Sequence, residues 1–259
     1  MKVTILGSGP SSGVPMVGGI WGDCDPNEPK NHRRRASILV EQGDTTILVD
    51  TSPDCRSQLL DANVNRADAV VYTHAHADHS HGIDDLRWLN LAMHADVPIY
   101  GDLRTIDSLR TRFGYAFEPL KSFENHPVRY YKPMLQPHVI EGPFAIGGID
   151  ITPFSQDHGF SQTLGFRFGD FAYSTDVVAL DDNAFDILHG IDTWIVDSFR
   201  REPHQTHSHL ARTLEWIERL RPNRSVLTHM NHHMDYATLL NELPTGVEPG
   251  YDGMVLDIL

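Results

Sequence analysis

Three histidines and an aspartate stand directly behind a predicted strand, at a spacing suited to holding metal ions. His74, His76, Asp78 and His79 follow the apolar strand 69–73, with single alanines between the first three of them. The spacing lets His74 and His76 converge on one cation, while Asp78 and His79 reach a second cation beside it. Imidazole and carboxylate groups suit zinc, manganese or iron. The motif therefore predicts metal binding at the end of this strand.

Three further candidate ligands stand at the ends of predicted strands or in the loops behind them. His158 follows the strand 149–154, Asp176 comes after a strand at 171–174, and His229 ends the strand 225–228. Two cations close together need a bridging carboxylate, and Asp176 could supply it. The chain also has 16 histidines in 259 residues, which is a high share for the commonest metal ligand.

Hairpins and strand–helix units alternate along the chain and position these residues. They predict a mixed α/β sandwich in which helices cover sheets, and with no repeat or linker the whole chain, 1–259, is interpreted as one domain. Strands are predicted at 2–6, 36–41, 45–50, 97–100, 163–168 and 192–197, besides those above. Helices are predicted from about 53 and at 84–93, 102–112 and 208–220. The segment 115–148, rich in proline and aromatic residues, is predicted to be irregular.

The net charge, the apolar runs and the cysteine content of the chain limit which partners and which cellular location we expect. Twenty-one basic against 35 acidic residues give a net charge of −14, and such a surface disfavours a stable complex with nucleic acid. No apolar run approaches the ~20 residues of a membrane span. Cys24 and Cys55 are the only cysteines and do not make a disulfide framework, which favours the cytoplasm. We therefore expect no membrane association and a small-molecule substrate.

The order and spacing of these seven residues resemble the metallo-β-lactamase superfamily over nearly the whole chain. Two other stretches resemble one branch of it, the cyclic ribose-phosphate phosphodiesterases of bacterial phosphonate breakdown. The first is the segment 7–15 with Trp21 and Gly22, and the second is 227–235 followed by 243–254. The resemblance implies a four-layer αβ/βα sandwich, with two mixed sheets flanked by helices. It also implies a possible homodimer.

The same resemblance implies a pair of divalent metal ions, manganese or zinc. One ion would be held by His74, His76 and His158, the other by Asp78, His79 and His229, with Asp176 between them. His207 falls where the branch has a histidine that assists phosphodiester cleavage, although His204 and His209 lie close by. The predicted catalytic residues are thus His207 and Asp78; the alternative for His207 is a solvated helix start.

Two regions outside this motif have open interpretations. The branch has a cysteine cluster that holds a structural zinc, whereas this chain has only Cys24 there. Asp23, Asp25 and His232 could form an oxygen-rich metal site or a hydrogen-bonded buttress, and we favour the buttress. The basic run Arg33, Arg34 and Arg35 could bind substrate phosphate through arginine forks, or be an ordinary solvated charge run.

Together these features predict a metal-dependent phosphodiesterase for a small cyclic or nucleotide-like phosphodiester. A hydroxide between the two metals would be the nucleophile, and His207 would protonate the leaving alkoxide. The alternatives are a transfer-RNA 3′-processing nuclease, or a thioester, lactone or β-lactam hydrolase of the same superfamily, since fold alone does not fix function. A non-catalytic metal-binding protein is the alternative from another class.

Overall fold

Two seven-stranded sheets form the centre of the protein in a computed structural model that describes residues 1–120 and 130–258. The first sheet contains β1 (Lys2–Gly7), β2 (Ser37–Gln42), β3 (Thr45–Val49), β4 (Ala69–Val71), β5 (Val97–Gly101), β6 (Leu135–Val139) and β14 (Val255–Asp257). The second contains β7 (Phe144–Ile146), β8 (Ile149–Asp157), β9 (Gln162–Phe168), β10 (Phe171–Ser174), β11 (Thr193–Asp197), β12 (Arg224–Thr228) and β13 (Val247–Pro249). Both sheets are mixed: β3 to β6 and β10 to β13 run parallel, and the other pairs are antiparallel.

In residues 1–120 and 130–258, seven α-helices connect or flank these strands. They are α1 (Cys55–Asp61), α2 (Ala77–Ser80), α3 (Leu86–Met93), α4 (Leu103–Arg112), α5 (Asp182–Leu188), α6 (Leu210–Leu220) and α7 (Tyr236–Glu242), and short 3-10 turns lie at Pro29–Asn31, Ile83–Asp85 and Gly114–Phe117. Within the described ranges, none of these helices has the length and apolar character needed to cross a membrane.

Alternation of side chains along the strands builds three apolar layers. In β2, Ile38 and Val40 face the space between the sheets, where they join Phe166 and Ile195 of the second sheet. Leu39 points the other way, because successive side chains of a strand lie on opposite faces.

The outer faces of the two sheets are covered by helices. Leu59, Leu89 and Ile106 of α1, α3 and α4 pack on the first sheet, and Leu188 and Trp216 of α5 and α6 pack on the second. The order of layers is therefore helix, sheet, sheet, helix, which confirms the predicted four-layer αβ/βα sandwich.

Secondary structure was predicted more accurately for the central strands of the two sheets than for their edge strands. The segment 115–148 is not irregular throughout, because it contains β6 and β7, and its residues 121–129 lie outside the described part of the chain. Both strands are the terminal strands of their sheets, and β6 includes Pro137, a residue tolerated at sheet edges. Edge strands bury few side chains, so the alternating pattern that marks a strand is weak there. Helices α5 and α7 were also not predicted.

Candidate metal centre

The seven predicted ligands come together beyond the carboxyl ends of four strands, β4, β8, β10 and β12. Parallel strands end at a common sheet edge, which is where loops of α/β proteins build their sites. One group contains His74, His76 and His158, and a second contains Asp78, His79, Asp176 and His229; within each group the candidate ligand atoms lie within 4.8 Å of one another. We call these seven residues the strand-end cluster.

Asp176 lies between the two groups and turns one carboxylate oxygen to each. Its Oδ1 is 3.7 Å from His158 Nε2 and 4.0 Å from His74 Nε2. Its Oδ2 is 3.0 Å from His79 Nε2 and 3.5 Å from His229 Nε2. A single carboxylate thus faces histidines of both groups, a placement that would suit a residue shared by two cations.

The backbone is held in an uncommon conformation at three places in and beside this cluster. Asp50, Asp176 and His229 have φ values of 63°, 55° and 58°, in the left-handed region that residues other than glycine seldom adopt. Asp50 and His229 directly follow β3 and β12, and Asp176 stands two residues after the end of β10. Such strain is typical of functional sites, where the surrounding structure maintains it.

Protein groups behind the imidazoles fix their orientation. Asp50 Oδ2 lies 2.7 Å from His79 Nδ1, and Thr73 donates to the same carboxylate through its backbone and hydroxyl groups. The backbone oxygen of Thr206 lies 2.7 Å from His158 Nδ1. In each ring the bonded nitrogen leaves Nε2 directed at the cluster, as in the supporting contacts of protein metal sites.

The environment favours neutral imidazoles on one side of the cluster and charged carboxylates in it. Burial, reinforced by neighbouring histidines, lowers the pKa of His74 and of His158. Burial alone would raise the pKa of Asp78 and Asp176, but adjacent histidines overcome it and hold both pKa values below the usual range.

His79 and His229 respond in the opposite direction. Burial opposes their protonation, but carboxylates, above all Asp176, raise the pKa of both rings.

Several nitrogen atoms of the cluster are buried without a hydrogen-bond partner in the protein. Within the described residues they are His74 Nε2 and both ring nitrogens of His229, whereas His79 Nε2 lies 3.0 Å from Asp176 Oδ2. Buried polar atoms are almost always paired, and an unpaired one demands an explanation such as an ion. Imidazole nitrogens together with two carboxylates are the donor set that zinc and manganese accept. The residues present therefore fit divalent metal ions.

His207 stands beside the cluster, whereas His209 does not join it. His207 Nδ1 is 3.1 Å from Asp197 Oδ2 and 3.9 Å from Asp176 Oδ1, and its ring stacks on that of His229 at 4.8 Å. His209 is instead the residue that precedes α6. The geometry thus separates two histidines that sequence spacing alone left ambiguous.

Asp50 and Asp197 are site residues that the sequence analysis missed. Both are fully buried, and Asp197 Oδ2 also accepts a hydrogen bond from the backbone of Val177. The signal was present in the sequence, since each aspartate stands at the end of a predicted strand, as His229 does.

Arg33 is not placed to bind a substrate. Its side chain is buried, and its guanidinium donates to the backbone oxygens of Asn231 at 3.1 Å and Met234 at 2.7 Å. It also approaches Cys24 Sγ at 3.7 Å. The predicted substrate role is therefore wrong for this residue, because a basic run in a sequence does not reveal which member turns inward.

The other two arginines of the run form ion pairs at the surface. Arg34 pairs with Asp61 of α1, and Arg35 Nε is 3.1 Å from Asp54 Oδ2. Their substrate role stays a prediction.

The segment around Asp23 and Asp25 forms a buttress of hydrogen bonds against the loop after β12. Asp23 receives a hydrogen bond from His233 at 2.8 Å and donates its backbone N–H to the oxygen of His232. The backbone N–H of Asp25 donates to Asp235 at 3.1 Å. Among the described residues, all groups of potential metal ligands lie around the strand-end cluster instead. We call the contact of residues 23–33 with residues 231–235 the loop junction.

Comparison with known proteins identifies the family. The model of the β-lactamase superfamily domain matches residues 45–230, which is most of the chain and includes every residue of the strand-end cluster. The chain therefore belongs to the metallo-β-lactamase superfamily, and it is a hydrolase of that fold. The family binds divalent metals, and the histidine and aspartate groups are present here.

Within the family, the chain is similar to a diphosphatase from the PhnP family. That solved structure shares 32% sequence identity and superimposes with a TM-score of 0.88, covering 98% of this chain and 96% of the other. The short form of human tRNase Z has a TM-score of 0.70 at 17% identity, with complete coverage of both chains, which is a likeness of fold.

Two curated relatives are longer proteins. An octanoyltransferase of Porphyromonas gingivalis is 31% identical over 259 residues, covering 98% of this chain and 51% of that protein. A ribonuclease Z of Bradyrhizobium is 39% identical over 148 residues, covering 54% of this chain and 46% of that protein. The chain thus spans about half the length of the curated relatives it matches, so their named activities are not assigned to the shared segment.

Proposed function

We propose that the protein is a metal-dependent phosphodiesterase that hydrolyses a small cyclic or nucleotide-like phosphodiester. The observation that carries this proposal is the His207–Asp197 pair beside Asp176, because a positioned histidine can supply the proton that an alkoxide leaving group needs. The likeness to the PhnP-family diphosphatase, at 32% identity over almost the whole chain, supports chemistry at phosphorus. A place in phosphonate breakdown belongs to the same proposal.

The strand-end cluster would hold the two divalent metal ions, manganese or zinc, through the seven residues described above. Bound there, these ions would supply a water molecule of lowered pKa and positive charge for the phosphoryl oxygens. The chain's own part is to keep the imidazoles in position: Asp50 orients His79, and the Thr206 carbonyl orients His158.

His207 would move the proton. Asp197 accepts a hydrogen bond from Nδ1, which holds the ring in one orientation. The opposite nitrogen, Nε2, is then available to donate to the oxygen that departs from phosphorus. Stacking on Phe199 at 4.8 Å and on His229 at 4.8 Å prevents the ring from swinging away, so the donor is ready before the substrate arrives.

A transfer-RNA 3′-processing nuclease is the second candidate, favoured by the identity of 39% shared with ribonuclease Z over 148 residues. The net charge of −14 opposes it, because RNA affinity depends on cationic contacts with many phosphates. A thioester or lactone hydrolase of the same fold and a non-catalytic metal-binding protein would use the same cluster. We infer no stable nucleic-acid complex, a cytoplasmic location and a possible homodimer.

Hydrolysis of defined phosphodiesters tests the proposal. Manganese-loaded protein is incubated with ribose 1,2-cyclic phosphate 5-phosphate and, separately, with 2′,3′-cyclic AMP, a precursor transfer RNA and a thioester. Ring opening of a cyclic phosphate, followed by phosphorus NMR, is the expected result. Cleavage of the RNA or the thioester with both cyclic phosphates intact would contradict the proposal. The control protein is Asp182→Asn, a change at an exposed position of α5.

A further inference from the structure

A pocket of about 390 Å³ opens directly beside the strand-end cluster. One side of it is the segment from His74 to Ala77, the second is α4, and the third is formed by Ser161 and Gln162 at the start of β9. A volume of this size lies in the range that holds a small organic ligand. A substrate whose scissile phosphate sits at the cluster therefore has room to extend along α4.

The α4 side of the pocket is cationic. Arg104 and Arg112 both line it and both are exposed. Arg104 has no hydrogen bond or ion pair with any residue in the described part of the chain. Asp102 is the one carboxylate of the lining, and its Oδ1 already accepts the backbone N–H of Thr105 at 2.7 Å. An unpaired guanidinium at the wall of a pocket is a binding group for an anion.

Arg112 is partly engaged by the protein itself. It donates to the backbone oxygen of Ala75, between the ligands His74 and His76, and to Ser108 Oγ at 2.9 Å. It thereby ties α4 to the loop of the cluster and adds positive charge to the same wall. Arg104, eight positions earlier on the same helix, takes no part in these contacts and keeps all five of its donors for a ligand.

We propose that Arg104, assisted by Arg112, selects substrates that carry an anionic group at a distance from the scissile phosphate, a phosphate or a carboxylate. This inference rests on the proposed function and names the residues that decide its specificity. A chain with 14 more acidic than basic residues repels anions in general, so a cationic wall has a large effect on which of them enter. The arginine fork matches both phosphate and carboxylate oxygens.

The test compares Arg104→Gln with Arg110→Gln, which removes an exposed arginine of the same helix that does not line the pocket. Manganese-loaded wild type and variants are assayed on ribose 1,2-cyclic phosphate and on its 5-phosphate and 5-carboxylate derivatives. Arg104→Gln should lower kcat/KM for a derivative with the distal charge about tenfold or more, and leave the parent, which has only the charge of its cyclic phosphate, within about twofold. Arg110→Gln should leave all ratios unchanged.

An equal loss on all three substrates, or no loss on any, would overturn the inference. Binding to the metal-free protein provides a readout independent of turnover: ribose 5-phosphate should bind at low salt about tenfold more weakly to Arg104→Gln than to wild type, whereas ribose should bind equally to both. If no cyclic phosphate is cleaved, the proposed function fails. The comparison of ribose 5-phosphate and ribose binding, measured by isothermal titration calorimetry, still decides the role of Arg104.

Discussion

The strand-end cluster and the loop junction both bring together polar residues from distant parts of the chain, but they differ in how completely those residues are hydrogen-bonded. At the loop junction, the Arg33 guanidinium is paired with backbone oxygens, and Asn31 donates to Asp235 at 2.7 Å. At the cluster, both ring nitrogens of His229 and the Nε2 of His74 have no hydrogen-bond partner among the described residues.

Paired polar groups at the loop junction indicate a structural hydrogen-bond network, whereas unpaired nitrogens at the cluster indicate a ligand-binding site. The hydrogen bonds of the loop junction are nearly complete: among the described residues, only Arg33 Nε and His232 Nδ1 are buried there without a partner. At the cluster, the unpaired nitrogens belong to rings that face the carboxylate of Asp176: His74 Nε2 lies 4.0 Å from its Oδ1, and His229 Nε2 lies 3.5 Å from its Oδ2. Since an unpaired buried polar group costs free energy, its repeated occurrence on facing side chains indicates a ligand.

Replacement of the carboxylate between the two groups should have the largest effect. Asp176→Asn keeps the side-chain shape and a residue type that tolerates the positive φ of this position, but it removes the charge. We expect kcat/KM for a cyclic phosphodiester to fall about 10³-fold or more, with less metal retained after dialysis and an unchanged circular dichroism spectrum. Asp182→Asn is the control. Turnover near the wild-type value would refute a bridging role for Asp176.

Removal of the proton donor should have the next largest effect. His207→Asn should lower kcat about 10²- to 10³-fold on an alkyl diester while metal content stays the same. With 4-nitrophenolate as leaving group the loss should be about tenfold or less, because that anion departs without a proton. His209→Asn should behave as wild type, and an equal loss on both leaving groups would show that His207 does not act as an acid.

At the loop junction, the effect should be on stability. Arg33→Met leaves the oxygens of Asn231 and Met234 without their donor, so the free energy of unfolding should fall by about 3 kcal/mol, measured in urea. The fall should be the same with and without metal. Arg34→Met, which breaks an exposed ion pair, should cost less than about 1 kcal/mol. A large loss of turnover in Arg33→Met at unchanged stability would instead return this residue to the active site.

Asp252 should make a smaller contribution, visible as a pH dependence. Burial raises the pKa of its carboxyl to about 6, although Ser8 and the backbone of Arg34 donate to it. A raised pKa means that the native state binds the proton more tightly than the unfolded chain. Stability from this group is therefore present below the unfolded pKa and is lost as the pH rises through about 6.

Between about pH 4 and pH 6.5, wild type should lose about 2 kcal/mol relative to Asp252→Asn. Urea unfolding of both proteins across this range provides the measurement. Parallel pH profiles would contradict the raised pKa.

The sequence predicts best what depends on local pattern. The predicted fold class and family were confirmed. They could be predicted because each apolar strand, and the histidine motif behind it, is recognisable within a short stretch of sequence. Asp50 and Asp197 were missed although they occupy the same strand-end positions, because an aspartate there is common and only the third dimension brings His79 and His207 against them.

The errors arise where burial is decided by distant contacts. Arg33 was grouped with Arg34 and Arg35 by charge, yet its surroundings come from residues about 200 positions later in the chain. Likewise Asp23 bonds the side chain of His233, not that of His232. The spacing of residues in the sequence cannot predict which of two adjacent side chains will contact a distant loop.

Anomalous diffraction from crystals grown with manganese or zinc tests the central claim most directly. We predict two peaks, one among His74, His76 and His158 and the other among Asp78, His79 and His229, with Asp176 between them. Elemental analysis of the same protein should give two equivalents of metal per chain. A single peak, or none at saturating metal, would contradict a two-metal centre at the ends of these strands.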